Sequence, residues 1–368
     1  MAILQLIEKD VKEDFYPLTL TRQFIDLRFG ILTIREKWER LASKQNFTLH
    51  IISEFQETII ADKILSANFI PPANLDLKNF FESDNLPEAM GLKKVIRLHD
   101  LVSLNNWAIN QDFELLENPS IQSKSPSQVK SIGSHPLFIA DNVKLEHCYI
   151  NTIDGPVYID ENAHIMDGAM LRGPIYIGKN SVVKMGATLY GGTSIGPHCI
   201  IGGEVKNSIF IGYTNKAHHG YIGDSYIGAW CNMGAGTSCS NLKNTVGEIK
   251  VWDMNLNSFI LAGQKAGIYM GDFVRSAINT SFNSGTVVGI CSNVFEFPHL
   301  TDKFIPNFSW GGKLGMTYNF EKLLEELSKW MQLKGITFEE TAKQNIRTLY
   351  FKLNQHEKTD RSGQLENE

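Results

Sequence analysis

Residues 157–204 read, in blocks of six, VYIDEN, AHIMDG, AMLRGP, IYIGKN, SVVKMG, ATLYGG, TSIGPH and CIIGGE. The third place of every block is aliphatic: Ile159, Ile165, Leu171, Ile177, Val183, Leu189, Ile195 and Ile201. The first place is mostly small, as in Ala163, Ala169, Ser181, Ala187, Thr193 and Cys199. A glycine follows the aliphatic residue at 178, 196 and 202. Such a pattern describes a short strand and a turn, with the aliphatic side chain turned inward and Gly or Asn accepting the turn's dihedrals. Three faces close one coil of about eighteen residues, and stacked coils pair their backbones at about 4.8 Å. One coil cannot bury its aliphatic residues alone, so the pattern specifies a stack, a parallel β-helix.

The register loosens after Glu204 and returns at Ile222-Gly223, Ile227-Gly228 and Met233-Gly234. Weaker turns follow in ILAGQKAGIYMGDFVRSAINTSFNSGTVVGI, residues 260–290. The β-helix is therefore expected over 137–295, and 296–368 as a loop, helices and a polar tail. In FEKLLEELSKWMQLKG, Leu323, Leu324, Leu327 and Met331 share one helical face. In TFEETAKQNIRTLYFKLNQ, Thr337 is placed to cap a helix with Glu340 three residues on. The last residues, HEKTDRSGQLENE, read as a frayed end.

Upstream the rhythm changes. Apolar runs ILQLI, FTLHIIS and KKVIRL alternate with helical stretches TIREKWERLAS and LVSLNNWAINQDFELL. That alternation predicts an α/β head over 1–120. Residues 121–136 fall in NPSIQSKSPSQVKSIGSHP, whose Ser and Pro content reads as a linker.

With a net charge of −5, the chain lacks the basic balance that nucleic-acid binding requires. No apolar run approaches the ~20 residues of a membrane span, and the N-terminus lacks a signal peptide's basic start. The cysteines form no CxxC pair, which points to reduced thiols and a cytoplasmic setting. The histidines are scattered without metal-ligand spacing.

The stretch that carries chemistry is EVKNSIFIGYTNKAHHGYIGDSYIGAWCNMGAGTSCSNLKN, residues 204–244. Within it stand Glu204-Val205-Lys206, then Lys216-Ala217 with His218 and His219, then Tyr221-Ile222-Gly223-Asp224. Asn232-Met233-Gly234-Ala235-Gly236-Thr237 and Asn241 follow. In order and spacing these elements resemble the acetyltransferase half of the bacterial bifunctional glucosamine-1-phosphate acetyltransferase/N-acetylglucosamine-1-phosphate uridyltransferase family. The resemblance implies a left-handed coil, acetyl-CoA as acyl donor, a sugar-phosphate or nucleotide-sugar acceptor, and a homotrimer with sites between subunits. It also implies roles. His219 or His218 is the base, Lys206, Tyr221, Asn232 and Asn241 hold the acceptor, and Gly234, Ala235 and Gly236 line the pantetheine arm.

The chemistry is consistent with those types. An attacking amine or hydroxyl must lose a proton, and imidazole titrates near neutrality. In extended backbone Ile222 points inward, so Tyr221 and His219 share the outer side; His219 is favoured and His218 stays open. A lysine holds phosphate as a point charge. One departure concerns the acceptor. Where the family carries an arginine one coil earlier, this chain reads Ala187-Thr188-Leu189-Tyr190, which puts glucosamine 1-phosphate itself in doubt.

In the head, YPLTLTRQFIDLRFGILTIREKW (16–38) and LHDLVSLNNWAINQDFELL (98–116) resemble the N-terminal segment of bacterial sugar nucleotidyltransferases that carry a hexapeptide-repeat tail. That resemblance implies a phosphate-facing surface with Arg22, Arg28 and Lys37, and Mg²⁺ only if the head is active. The departure is that no Gly-rich GxGTR loop is present and the head is short. Three readings therefore stand: acyltransferase, sugar-1-phosphate nucleotidyltransferase, and a scaffold without chemistry.

Overall fold

A computed structural model describes residues 2–9, 11–52, 61–116, 129–295, 299–311 and 316–364. Its dominant element is a parallel β-solenoid of three stacked faces. The first face has nine strands, from Leu137–Ile139 to Phe304–Ile305, and the second eight, from Lys144–Leu145 to Asn293–Val294. A third, six-stranded face runs from Val129–Ile132 to Tyr221–Gly223, and the pair Ser238–Cys239 and Ser281–Phe282 continues it. The periodic aliphatic residues form inward columns. Ile159 pairs with Ile177, Ile177 with Ile195, and Ile195 with Phe210. All are fully buried. Coil strands begin at Val129 and continue to Ile305, so they extend beyond the expected 137–295 at both ends. Of the expected linker, 121–128 lies outside the described residues, and 129–132 is already a solenoid strand.

The corner between the first and second faces needs a left-handed residue in each coil. Asn142, Asn162 and Asn180 supply it at φ of 56–57°, as an Asn-rich repeat should. Later coils put His198, Tyr213 and Trp230 there instead. Their rings stack at 4.6 and 4.3 Å, and that contact offsets a backbone cost of about 1–2 kcal/mol per residue.

The head is a three-stranded parallel sheet in the order β2-β1-β3, with β1 Ile3–Ile7, β2 Thr48–Ile52 and β3 Lys63–Ser66. Its helices are α1 (Ile34–Lys44), α2 (Leu77–Glu82), α3 (Leu98–Ser103) and α4 (Asn105–Leu115). KKVIRL does not supply the third strand. Only Lys93–Lys94 is extended, paired antiparallel with Phe69–Ile70, while Val95 and Leu98 turn into the core.

Head and solenoid share one core. The outward column of the first face, including Phe138, Tyr158, Tyr176, Ile209, Tyr226, Tyr269 and Val287, packs against the head's apolar residues. Asn105 ties the two together. Its Oδ1 accepts from Gly30 N at 2.8 Å, while its Nδ2 donates to Gly192 O at 2.7 Å and Ser194 Oγ at 3.0 Å. Asn105 is fully buried, so Asn105→Ala leaves three polar groups without partners. Urea unfolding should show a loss of roughly 1–3 kcal/mol or more; an unchanged midpoint would deny the residue this bridging role.

At the other end, α5 (Phe320–Leu333) and α6 (Glu340–Gln364) pack over the solenoid. Leu323, Leu324 and Leu327 are buried and Met331 partly so, on the face that the sequence spacing specifies. Helix α6 starts at Glu340 rather than just after Thr337, because Phe338, 5% exposed, is drawn into the same apolar cluster. It continues through most of the expected tail, whose residues 365–368 lie outside the described set. From α5, Glu326 pairs with Arg275 at 2.9 Å on the second face. No helix among the described residues is long and apolar enough to cross a membrane.

Candidate functional site

Strand pairing sets which side chains leave the solenoid. Glu204 pairs with Tyr221, Val205 with Ile222 and Lys206 with Gly223. Val205 and Ile222 are fully buried, so alternation turns Glu204, Lys206 and Tyr221 outward on the third face. The Tyr221 hydroxyl lies over Gly223; a Cβ there would stand 2.2 Å from it. Burial, and then the Asp224 carboxylate, hold that phenol well above its ordinary pKa, so it is a hydrogen-bond donor at neutral pH. Asp224 is 8% exposed and accepts amide hydrogens from Asn207 at 2.7 Å and Asn241 at 2.5 Å. Lys206 is exposed, and its Nζ has no partner among the described residues. Lys206, Asn207 and Asp224 open onto a cleft of about 450 Å³.

His218 and His219 occupy the exposed turn from the second face to the third, between Asn215–Lys216 and Tyr221–Gly223. Their carbonyls are engaged, His218 O by Lys216 Nζ at 2.8 Å and His219 O by Gly236 N at 3.2 Å. Neither imidazole is bonded to another described residue. Gly234, Ala235 and Gly236 form the next coil's turn directly against this one. Gly236 has φ +76°, which glycine tolerates best, and the Gly234 N–H goes to Ser276 O at 3.0 Å.

Lys216 is the unexpected member. It takes an inward place in line with Ile201, where an aliphatic residue belongs, and is 2% exposed. Its Nζ donates to Gly202 O and His218 O, both at 2.8 Å, and no carboxylate among the described residues pairs with it. Burial pushes the ammonium down to about 8 from 10.5. Between those two values the unfolded chain binds the proton that the folded chain has lost, so this group raises stability as pH rises through the window. The penalty is fully present below pH 8. Relative to Lys216→Met, the wild type should therefore gain up to about 3 kcal/mol between pH 7 and 10. Buried tyrosines and cysteines, common to both chains, cancel in the difference. Parallel pH profiles from urea unfolding would contradict a buried ammonium here.

Other expected residues are placed elsewhere. Asn232 is on the second face, where Asn215 Nδ2 reaches its Oδ1 at 3.4 Å and Lys334 holds Asn215 at 3.0 Å, so within one chain it does not join Tyr221. Arg22 is turned to Asp272, which also accepts from Thr21 and from Ala229 N, and so clamps head to solenoid. Arg28 donates to Ile31 O and lies over the Tyr176 ring at 5.2 Å. Lys37 is 2% exposed and paired with Asp112. These three cations serve internal contacts and do not form a common outward surface. The sequence reading passed over Asp224 and Asn207 as ligand-side residues, although both stand inside the quoted stretch. His99, Asn106 and Lys265 of the cleft carried no signal at all.

Residues 4–53 match a family model described as sugar nucleotidyl transferase. The bifunctional protein GlmU of Methanocaldococcus jannaschii is 40% identical over 87 residues, 23% of this chain and 21% of that protein. A bifunctional sugar-1-phosphate nucleotidylyltransferase/acetyltransferase of Sulfurisphaera tokodaii is 33% identical over 159 residues, 43% of this chain and 37% of that one. Among solved structures, the polySia-specific acetyltransferase NeuO aligns with a TM-score of 0.30 and 14% identity, over 52% of this chain and 88% of that chain. The chain thus spans about a fifth to somewhat over a third of the curated relatives it matches. It is similar, at its N-terminus, to sugar nucleotidyl transferases and, over part of its length, to bifunctional sugar-1-phosphate nucleotidylyltransferase/acetyltransferases.

Proposed function

We propose that the protein transfers an acyl group, acetyl in the first instance, from acyl-CoA to a hydroxyl or amine of a sugar phosphate or nucleotide sugar. The observation that carries this reading is the third face itself. Lys206, Tyr221 and the Asp224–Asn241 pair converge there, with two unengaged imidazoles at its edge. The 234–236 turn beside His219 bears no side chain larger than a methyl group, which suits a pantetheine arm lying close to backbone. Bound acyl-CoA would supply the activated acyl carbon as a thioester.

The remaining work falls to this chain's residues. Lys206 holds the acceptor's phosphate, and Tyr221 donates to an acceptor oxygen. Asp224, already oriented by two amides, accepts from a sugar hydroxyl. His219 Nδ1 or Nε2 takes the proton of the attacking group and returns it to the leaving sulfur. One solenoid corner is convex, so we place the second wall of the donor site on a neighbouring copy, in a homotrimer. We assign the reaction to the cytoplasm, where the five buried cysteines remain thiols.

The test is CoA release from acetyl-CoA with a panel of sugar 1-phosphates, amino sugars and nucleotide sugars, read with a thiol reagent. Acceptor-dependent release supports the reading, and none across the panel sinks it. A second activity, nucleotidyl transfer, is favoured by the match at residues 4–53. Pyrophosphate release from NTP, Mg²⁺ and sugar 1-phosphate would support it; silence would remove nucleotidyl transfer from the head.

A further inference from the structure

We propose that the head completes the acceptor site, with α3 and α4 as the wall facing Lys206. This rests on the third face being the acceptor side. The cleft of about 450 Å³ is not a solenoid feature alone, because His99, Val102, Ser103 and Asn106 line one side of it. Its volume lies in the ordinary range for small-molecule sites, about 300–1,000 Å³.

The wall has defined chemistry. His99 Nδ1 is buried without a hydrogen-bond partner, and Nε2 lies 3.8 Å from Asp100 Oδ1, beyond hydrogen-bond length. Burial pushes this imidazole below its usual pKa, so it is neutral at pH 7 and, with Nδ1 out of solvent's reach, presents Nε2 alone to a ligand. Asn106 is engaged through its oxygens by Asn110, at 2.8 and 3.2 Å, and its amide hydrogens have no partner among the described residues. Across the cleft, Lys206 and Lys265 are cations without ion-pair partners among the described residues. An amide and a neutral imidazole on one side, with two free ammonium groups and the amide-bonded Asp224 carboxylate on the other, suit a hydroxyl-rich body carrying an anionic group.

The wall is also held in place. Asn105, between His99 and Asn106, is the residue bonded to Gly192 and Ser194 of the solenoid. Asp100 accepts from Ile96 N and Arg97 N and fixes the start of α3. The ligand class that fits is a phosphate-bearing sugar, its phosphate toward the lysines and its ring hydroxyls against His99 and Asn106. The head thereby acquires a role in acceptor selection whether or not it transfers nucleotides.

The experiment is a calorimetric titration of the full chain with glucose 1-phosphate, UDP-glucose and free glucose. Three forms are compared: wild type, Lys206→Ala, and the double variant His99→Ala/Asn106→Ala, each checked for a native circular dichroism spectrum. Asn106→Ala alone, at an exposed helix position, serves if the double variant unfolds. The wild type should bind a phosphate-bearing ligand and not glucose. The head variants should bind it about tenfold more weakly per lost hydrogen bond, with acetyl-CoA binding unchanged. If Lys206→Ala loses the ligand while the head variants bind as wild type does, the head is no wall, though the face remains the acceptor side. Absence of binding by every phosphate-bearing ligand would overturn the proposal, while acetyl-CoA binding would still report separately on acyl transfer.

Discussion

A His219→Ala variant is expected to release CoA roughly 10²–10⁴-fold more slowly than the wild type, with its fold intact. The side chain is exposed in a turn and bonded to no described residue, so its removal leaves no buried group unsatisfied. On the proposed reaction, what is lost is the proton acceptor for the attacking amine or hydroxyl. His218→Ala is the control. Its imidazole is equally exposed in the same turn, but it lies one residue further from Tyr221. A large loss at 219 and a small one at 218 assigns the base. The reverse result moves the assignment, and no loss at either removes histidine from the chemistry.

The largest stability effect is expected in the head. Lys37 and Asp112 form an ion pair with side-chain exposures of 2% and 1%. Burial pushes the ammonium down and the carboxyl up, and each partner opposes that shift in the other. Asp112 also accepts from Ile31 N at 2.8 Å and Leu32 N at 3.0 Å, and so holds the loop that carries Gly30 against Asn105. Asp112→Ala strands a buried ammonium and two backbone donors, and should cost about 3–5 kcal/mol. Lys37→Met combined with Asp112→Asn removes the charges and keeps an acceptor, so it should recover most of the loss. Urea unfolding of the three chains decides it; a near-neutral Asp112→Ala would mean that the pair is solvated.

The solenoid was legible because its period fixes one aliphatic inward residue in every six, and aliphatic side chains recurring at that place have only one use. Legibility failed where other forces filled the same places. Lys216 sits at an inward position, which a pattern of aliphatic residues does not anticipate, and its two carbonyl partners become visible only once the coils are stacked. The antiparallel pair Lys250–Asp253 and Ser258–Leu261 interrupts the register between coils. The outward tyrosines 158, 176, 226 and 269 each stand just before an inward Ile or Met in the VYI, IYI, YI and IYM strands. That was a readable sign that the first face is covered, since exposed coils have no need of aromatic rings there.

In the head, charge type misled. The resemblance implies that Arg22 and Lys37 face phosphate, whereas the fold turns them to Asp272 and Asp112, residues distant in sequence. On the third face, the outward direction of Tyr221 was legible from alternation, because Ile222 sets the inward side, while Lys206 was singled out only by the family resemblance. Asn232 was not, since the turn after Met233 places its strand on another face. The cleft wall of α3 and α4 could not be read at all, because it depends on how the head docks.

Titration of acetyl-CoA into the full chain, with coenzyme A for comparison, tests acyl transfer most directly. The account predicts saturable binding near one acetyl-CoA per chain, weakened when Ala235→Trp fills the turn beside His219. Folded protein that binds neither molecule would contradict it.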